Sequence, residues 1–124
     1  MSPLGQWVRA VTALDGNAAA AEDSGAQLER RYGEPHRRYH GLDHVRAVLG
    51  NAASLAAELG FDAVDRALLD LAVCAHDVVY DASPGADERA SAAWARDALT
   101  RAGVAQEHVD RVAGLVLDLS LIHI

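Results

Sequence analysis

Leu68-Leu-Asp-Leu-Ala-Val-Cys-Ala-His-Asp-Val-Val-Tyr-Asp81 decides how the rest of the chain must fold. The stretch is strongly apolar, carries His76 and Asp77 side by side, and then runs into a polar turn. An ionised carboxylate is costly to bury unless something pairs with it. With apolar neighbours on both sides, Asp77 needs a partner, and a metal ion is one. The plain alternative is a helix end where His76 and Asp77 face water.

Working outward, Asp62 is a good N-cap for the helix that contains this stretch, with Val64, Leu68, Leu69, Leu71, Ala72 and Ala75 inside it. Near its end that helix is apolar over most of its circumference, which places it at the centre of a bundle. Upstream, Val45, Val48, Leu49, Ala52, Leu55, Ala56 and Leu59 follow the 3.6-residue period from Leu42 until Gly60 stops them. Two helices joined by the short Gly60-Phe61 turn pack antiparallel, so the start of one lies beside the end of the other. His40 and His44 stand at that start, four apart and therefore on one face. The hairpin thus brings His44 to His76 and Asp77. Imidazole and carboxylate ligands suit Zn, Mn, Fe, Ni or Mg, and softness alone does not choose among them. A hydrogen-bonded core of histidines is the competing reading.

The remaining segments complete an all-α pattern. Ser2-Pro3 reads as an N-cap with proline at the first helical position, and Trp7, Val11 and Leu14 recur at helical spacing up to Asp15-Gly16. Ala18 to Ala21 has helical composition, Glu22-Asp23-Ser24-Gly25 reads as a break or a new cap, and Gln27 to Tyr32 as a short helix ended by Gly33. Pro35 forces extended backbone at Glu34, so Glu34 to Gly41 is expected to be a polar loop. After a loop from Asp81 to Ala86, a helix is expected from about Asp87 to Ala102 with Ala90, Ala93, Trp94 and Leu99 facing inward. A last one begins near Gln106 and uses Val109, Val112, Ala113, Val116 and Leu117.

At 124 residues the chain has room for one core. It is half hydrophobic yet only 5% aromatic, with Ala supplying much of the apolar share, as suits helices. A net charge of −7 argues against a basic nucleic-acid-binding surface, while small phosphorylated ligands remain open where a cation supplies positive charge. The single Cys74 excludes an internal disulfide and reads as a buried small hydrophobe. Neither a signal peptide nor a membrane-length apolar run is visible, so a soluble cytoplasmic protein is the default expectation.

Three motifs arrive in order: Tyr32-Gly-Glu-Pro-His-Arg-Arg-Tyr-His-Gly-Leu-Asp-His-Val45, Ala75-His-Asp-Val-Val-Tyr-Asp81 and Asp87-Glu-Arg-Ala-Ser91. Together they resemble the predicted metal-dependent phosphohydrolases of the HD superfamily, over about Trp7 to Leu117. The resemblance implies an HD-domain-like helical bundle with a divalent metal held by His44, His76 and Asp77, and makes His40 a residue behind the ligands or on the substrate side. The family's last Asp should come from a helix well beyond residue 118; Asp110 and Asp118 precede that segment. Residues 1–118 are accordingly expected to form one partial HD-type domain, incomplete at the C-terminus. Leu119-Ser-Leu-Ile-His-Ile124, which back-translates as CTG TCT CTT ATA CAC ATC, reads as a non-native tail derived from a sequencing adapter. Weak or absent activity follows as the expectation for the chain as given, with exposed apolar surface favouring a homo-oligomer.

An ion on His44, His76 and Asp77 would polarise a phosphoryl oxygen and acidify a bound water, which Asp77 could orient. Arg37, Arg38 and Arg89 are candidates for gripping phosphate, since the arginine fork matches its oxygens; each is equally readable as a solvated arginine. Glu88 could act as a general acid or base, or simply complement a helix dipole. Tyr39 and Tyr80 could line the pocket, and His36 lies within the motif without an argued partner. The leading expectation is hydrolysis of a small phosphorylated, nucleotide-like metabolite, the substrate class resting on the resemblance alone. A non-catalytic module that binds metal or nucleotide, and a purely structural helical domain, are the alternatives.

Overall fold

The computed structural model describes residues 2–81, 83 and 85–121, and of residues 36, 38, 39, 120 and 121 the backbone alone. Among these, all regular structure is helical: α1 (Pro3–Ala13), α2 (Ala18–Tyr32), a 3₁₀ helix (Pro35–His40), α3 (Leu42–Leu59), α4 (Ala63–Ala75), α5 (Ala86–Arg101) and α6 (Gln106–Leu121). The all-α expectation holds. The α1/α2 and α5/α6 pairs pack closely, and α4 touches α1, α3, α5 and α6. Its residues from Leu71 through Ala75 are all buried, which is why it sits at the centre.

Local chemistry sets most boundaries. Ser2 Oγ accepts from the Gly5 N–H and Asp62 Oδ1 from the Asp65 N–H, each occupying one of the orphan donors that open a helix. Gly60 ends α3 at φ +70°, a left-handed cap that a side chain would strain.

Three expectations are corrected. The Glu22–Gly25 break does not form; α2 runs unbroken through it. Ser24 Oγ instead accepts from Trp7 Nε1 at 2.8 Å, and a Cβ on Gly25 would strike Leu4, so the polar and small residues there are packing choices. The polar loop after Pro35 is a six-residue 3₁₀ helix. On α5, Leu99 is buried and Trp94 packs against the core as expected, but Ala93 is exposed and Ala90 only half-buried, the buried face being completed by Ser91, Ala92, Ala95 and Ala98. α6 runs on through residue 121 and buries Leu119. Residues 122–124, with His123, lie outside the described residues.

The core runs from Trp7 and Val11 through Leu28, Leu68, Leu71 and Leu99 to Val109, Val112 and Val116. Cys74 is buried in it, as expected, and burial pushes its thiol pKa up. Leu117, expected inside, is 40% exposed, and Leu55, Leu59, Phe61 and Val64 leave apolar surface around the α3–α4 turn. Among the described residues no helix is long and apolar enough to cross a membrane.

One buried acid makes a testable point. Asp70 on α4 pairs with Arg66 at 3.3 Å, yet its burial outweighs that partner and raises its pKa. The folded chain therefore holds this proton to higher pH than the unfolded chain does, so ionisation lowers stability as pH rises through the carboxylate range, from about 4 upward. Asp70→Asn removes the titration. Its urea midpoint should lie closest to wild type at pH 3.5, gain on it as pH rises through the carboxylate range and then hold that gain; a constant offset from pH 3.5 to pH 7 contradicts this.

Candidate metal centre

The sequence places His40 and His44 at the entrance to α3, and the hairpin carries that entrance to the end of α4. His40 closes the 3₁₀ helix and His44 lies in the first turn of α3, so the two flank a change of helix type rather than sharing one helix. Their rings nonetheless meet edge to face at 5.7 Å between centroids. His76 is the C-cap of α4 and Asp77 follows it.

All three imidazoles converge on one oxygen. Asp77 Oδ2 lies 3.1 Å from His40 Nδ1, 3.4 Å from His76 Nε2 and 3.9 Å from His44 Nε2. Donor atoms of His40, His44 and Asp77 also lie within 4.8 Å of one another. Ligands about 2.1 Å from a tetrahedral ion stand roughly 3.4 Å apart, so His40, His44 and Asp77 would have to draw in to close around one. Both His44 and His76 of the expected trio neighbour Asp77, but the group whose donor atoms all lie within 4.8 Å of one another is His40, His44 and Asp77, without His76. His40 also stacks on Tyr80, 4.3 Å between centroids with 25° between planes.

Hydrogen bonding orients the ring behind Asp77. His76 Nδ1 lies 2.5 Å from the Val73 carbonyl oxygen, which can only accept, so Nδ1 carries a proton and Nε2 is the nitrogen turned towards Asp77. A carbonyl behind a histidine is the usual way a metal-binding tautomer is selected. Burial, reinforced by the positive potential of His76 and opposed by Asp77, lowers the His44 pKa and favours its neutral form. His76 is nearly buried while about a quarter of the Asp77 side chain faces solvent, so the cluster has an open side.

Two residues expected to handle phosphate and protons have other partners. Arg37 is 2% exposed and donates to the Asp77 and Val78 carbonyls at 2.5 and 2.6 Å and to Glu34 Oε1 at 3.1–3.2 Å. It is neither a free phosphate ligand nor a solvated arginine. Glu88 Oε2 accepts the Gly85 N–H, the helix-end role weighed beside catalysis, at a glycine whose φ of +85° few other residues adopt. Arg89 is exposed, its guanidinium beside Gly85. The side chains of His36, Arg38 and Tyr39 lie outside the described residues.

Neighbours in the third motif organise the loop after the doublet. Asp87 Oδ2 accepts from the Asp81 and Ser83 N–H groups at 3.1 and 3.0 Å, and buried Ser91 Oγ accepts the Val79 N–H at 3.1 Å. Sequence reasoning gave no role to Tyr32, which the structure puts directly behind the site. Its hydroxyl donates to the Cys74 carbonyl at 2.6 Å and accepts the Asp77 N–H at 3.2 Å. Burial, with Asp77 alongside, holds its pKa well above the ordinary phenol value, so it stays a neutral hydroxyl able to do both. The nearest signal was an aromatic residue at the last position of a helix.

Fold and site together define an all-α bundle with a three-histidine, one-aspartate cluster where two antiparallel helices meet. Comparison with models of known protein families, with curated proteins and with solved structures found no match.

Proposed function

We propose that this protein is a metal-dependent phosphohydrolase of the HD type, acting on a small phosphorylated, nucleotide-like metabolite. The observation that carries the reading is the convergence of His40, His44 and His76 on Asp77 Oδ2, within 3.9 Å. The motifs from Tyr32, Ala75 and Asp87 support it by their resemblance to that family, and the substrate class rests on the resemblance alone. A bound divalent ion supplies Lewis-acid polarisation of the phosphoryl group and a more acidic water. The chain's own residues do the rest. His44 and His76 offer ring nitrogens, and Asp77 supplies the carboxylate oxygen. Its solvent-facing side is positioned to orient a water, and exposed Arg89 is the remaining described candidate for a phosphate oxygen.

A second reading has its own observation. With Arg37 bound to backbone carbonyls and Glu88 to its helix end, two groups wanted for turnover are engaged elsewhere, which favours a module that binds metal or nucleotide without hydrolysing it. Metal analysis and a panel of nucleotides and phosphoesters with Mn²⁺ or Mg²⁺ separate the readings. Stoichiometric metal, lost in His76→Ala, together with turnover of a panel member is the expected result. Metal without turnover favours the binding module, no stoichiometric metal rejects the phosphohydrolase, and binding of neither metal nor any nucleotide of the panel rejects both.

A further inference from the structure

Two helices of this chain end in different ways, and the difference falls on the metal centre. The end of α3 is closed by Gly60, whose N–H and that of Phe61 return to the Ala57 and Ala56 carbonyls. The end of α4 has no glycine. His76 stays in right-handed helical backbone, φ −60° and ψ −28°, which leaves the last carbonyls of the helix to find partners elsewhere. His76 Nδ1 takes Val73 O and the Val78 N–H takes Ala75 O, both locally. The others are reached from far upstream: Tyr32 donates to Cys74 O, and Arg37 donates to both Asp77 O and Val78 O. Tyr32 also accepts the Asp77 N–H, so that residue's peptide groups are held on both sides. The two holding groups are themselves fixed, because the Arg37 guanidinium lies 4.9 Å from the centre of the Tyr32 ring and is bonded to Glu34.

We propose that Tyr32 and Arg37 are positioning residues of the metal centre: they lock the turn from His76 to Val78 and so set the direction in which His76 and Asp77 present their ligand atoms. The inference rests on the metal-site reading above. A glycine cap would satisfy the helix end with fewer groups, but it would turn the chain left-handed after the helix and carry Asp77 away from His44. Buried positive charge at this end also complements the negative pole of α4. Neither residue would touch the ion, and both act through the backbone of the residues that do.

The test uses the whole chain and Co²⁺, whose d–d absorption reports both affinity and coordination geometry. Tyr32→Phe keeps the ring and loses both hydroxyl bonds; Arg37→Lys keeps the charge but loses the fork. Each should bind Co²⁺ about 10- to 100-fold more weakly than wild type, the size of effect typical of groups behind metal ligands, with an altered band envelope. Hydrogen exchange at the Asp77 amide should accelerate at least about tenfold in Tyr32→Phe, while the Val112 amide in α6 keeps its wild-type protection. Wild-type Co²⁺ affinity and spectrum in both variants overturns the positioning role, whatever the exchange rates. Failure of the wild-type protein itself to take up Co²⁺ overturns the metal reading instead, so the two failures are distinct. Should Arg37→Lys not fold, Tyr32→Phe alone decides.

Discussion

Asp77→Asn is expected to lower the affinity for Mn²⁺ or Zn²⁺ by at least about a hundredfold while changing unfolding free energy by less than about 1 kcal/mol. The first figure follows from where the oxygen sits. One atom, Oδ2, is the common neighbour of three imidazole nitrogens at 3.1, 3.4 and 3.9 Å, and it brings the only negative charge in the cluster. Asparagine keeps the shape, so its carbonyl can still meet His40, but it loses the charge that offsets dehydration of a divalent ion. The second figure follows from exposure: about a quarter of the Asp77 side chain meets solvent, and the bonds that hold its backbone come from Tyr32 and Arg37 and survive the change. Calorimetric titration of metal and urea unfolding of the metal-free protein measure the two quantities. If the cluster were only a hydrogen-bonded histidine core, wild type and Asp77→Asn would fail to bind metal alike.

The hairpin logic that brought His44 to His76 and Asp77 was legible because every signal it needed was local. Gly60 and Asp62 are boundary residues whose effect is felt within one turn, and both ends fell where they were read. What was not legible had distant causes. Ser24 and Gly25 look like a helix break in a linear reading, and only the approach of Trp7 and Leu4 from α1 turns them into interior packing residues. On α5 Leu99 and Trp94 were placed rightly, but Ala93 was read inward because a helix built mostly of alanine gives little apolar contrast for periodicity to detect. Arg37 is the clearest case. Its motif context suggested phosphate, yet its partners are carbonyls 40 and 41 residues away, which no spacing rule reaches. His40 entered the cluster for a related reason: the segment after Pro35 winds into a 3₁₀ helix that delivers its ring to Asp77.

Trp7→Ala is expected to cost about 3–5 kcal/mol, the range for removing a buried aromatic side chain, against a total stability of about 5–15 kcal/mol for a domain of ordinary stability. Trp7 is fully buried, donates to Ser24 Oγ at 2.8 Å, and lies 5.3 Å from the ring of Trp94 at a tilt of 46°. It therefore joins α1, α2 and α5, and its loss opens a void that three helices must collapse into together. Trp7→Phe retains most of the volume and forfeits the hydrogen bond, so its cost should be nearer 1–2 kcal/mol. The comparison with Asp77→Asn carries the argument. The α1 helix packs along α4, the helix that ends in the metal cluster, while the Trp7 hydrogen bond and ring contact go to Ser24 and Trp94. At temperatures where it remains folded, Trp7→Phe should therefore bind metal with wild-type affinity despite its lowered urea midpoint, whereas Asp77→Asn should keep the midpoint and lose the metal. A Trp7→Phe protein that is fully folded by circular dichroism and yet binds metal tenfold more weakly would mean that packing of α1 on α4 sets ligand geometry directly, and that bundle and site cannot be separated as drawn.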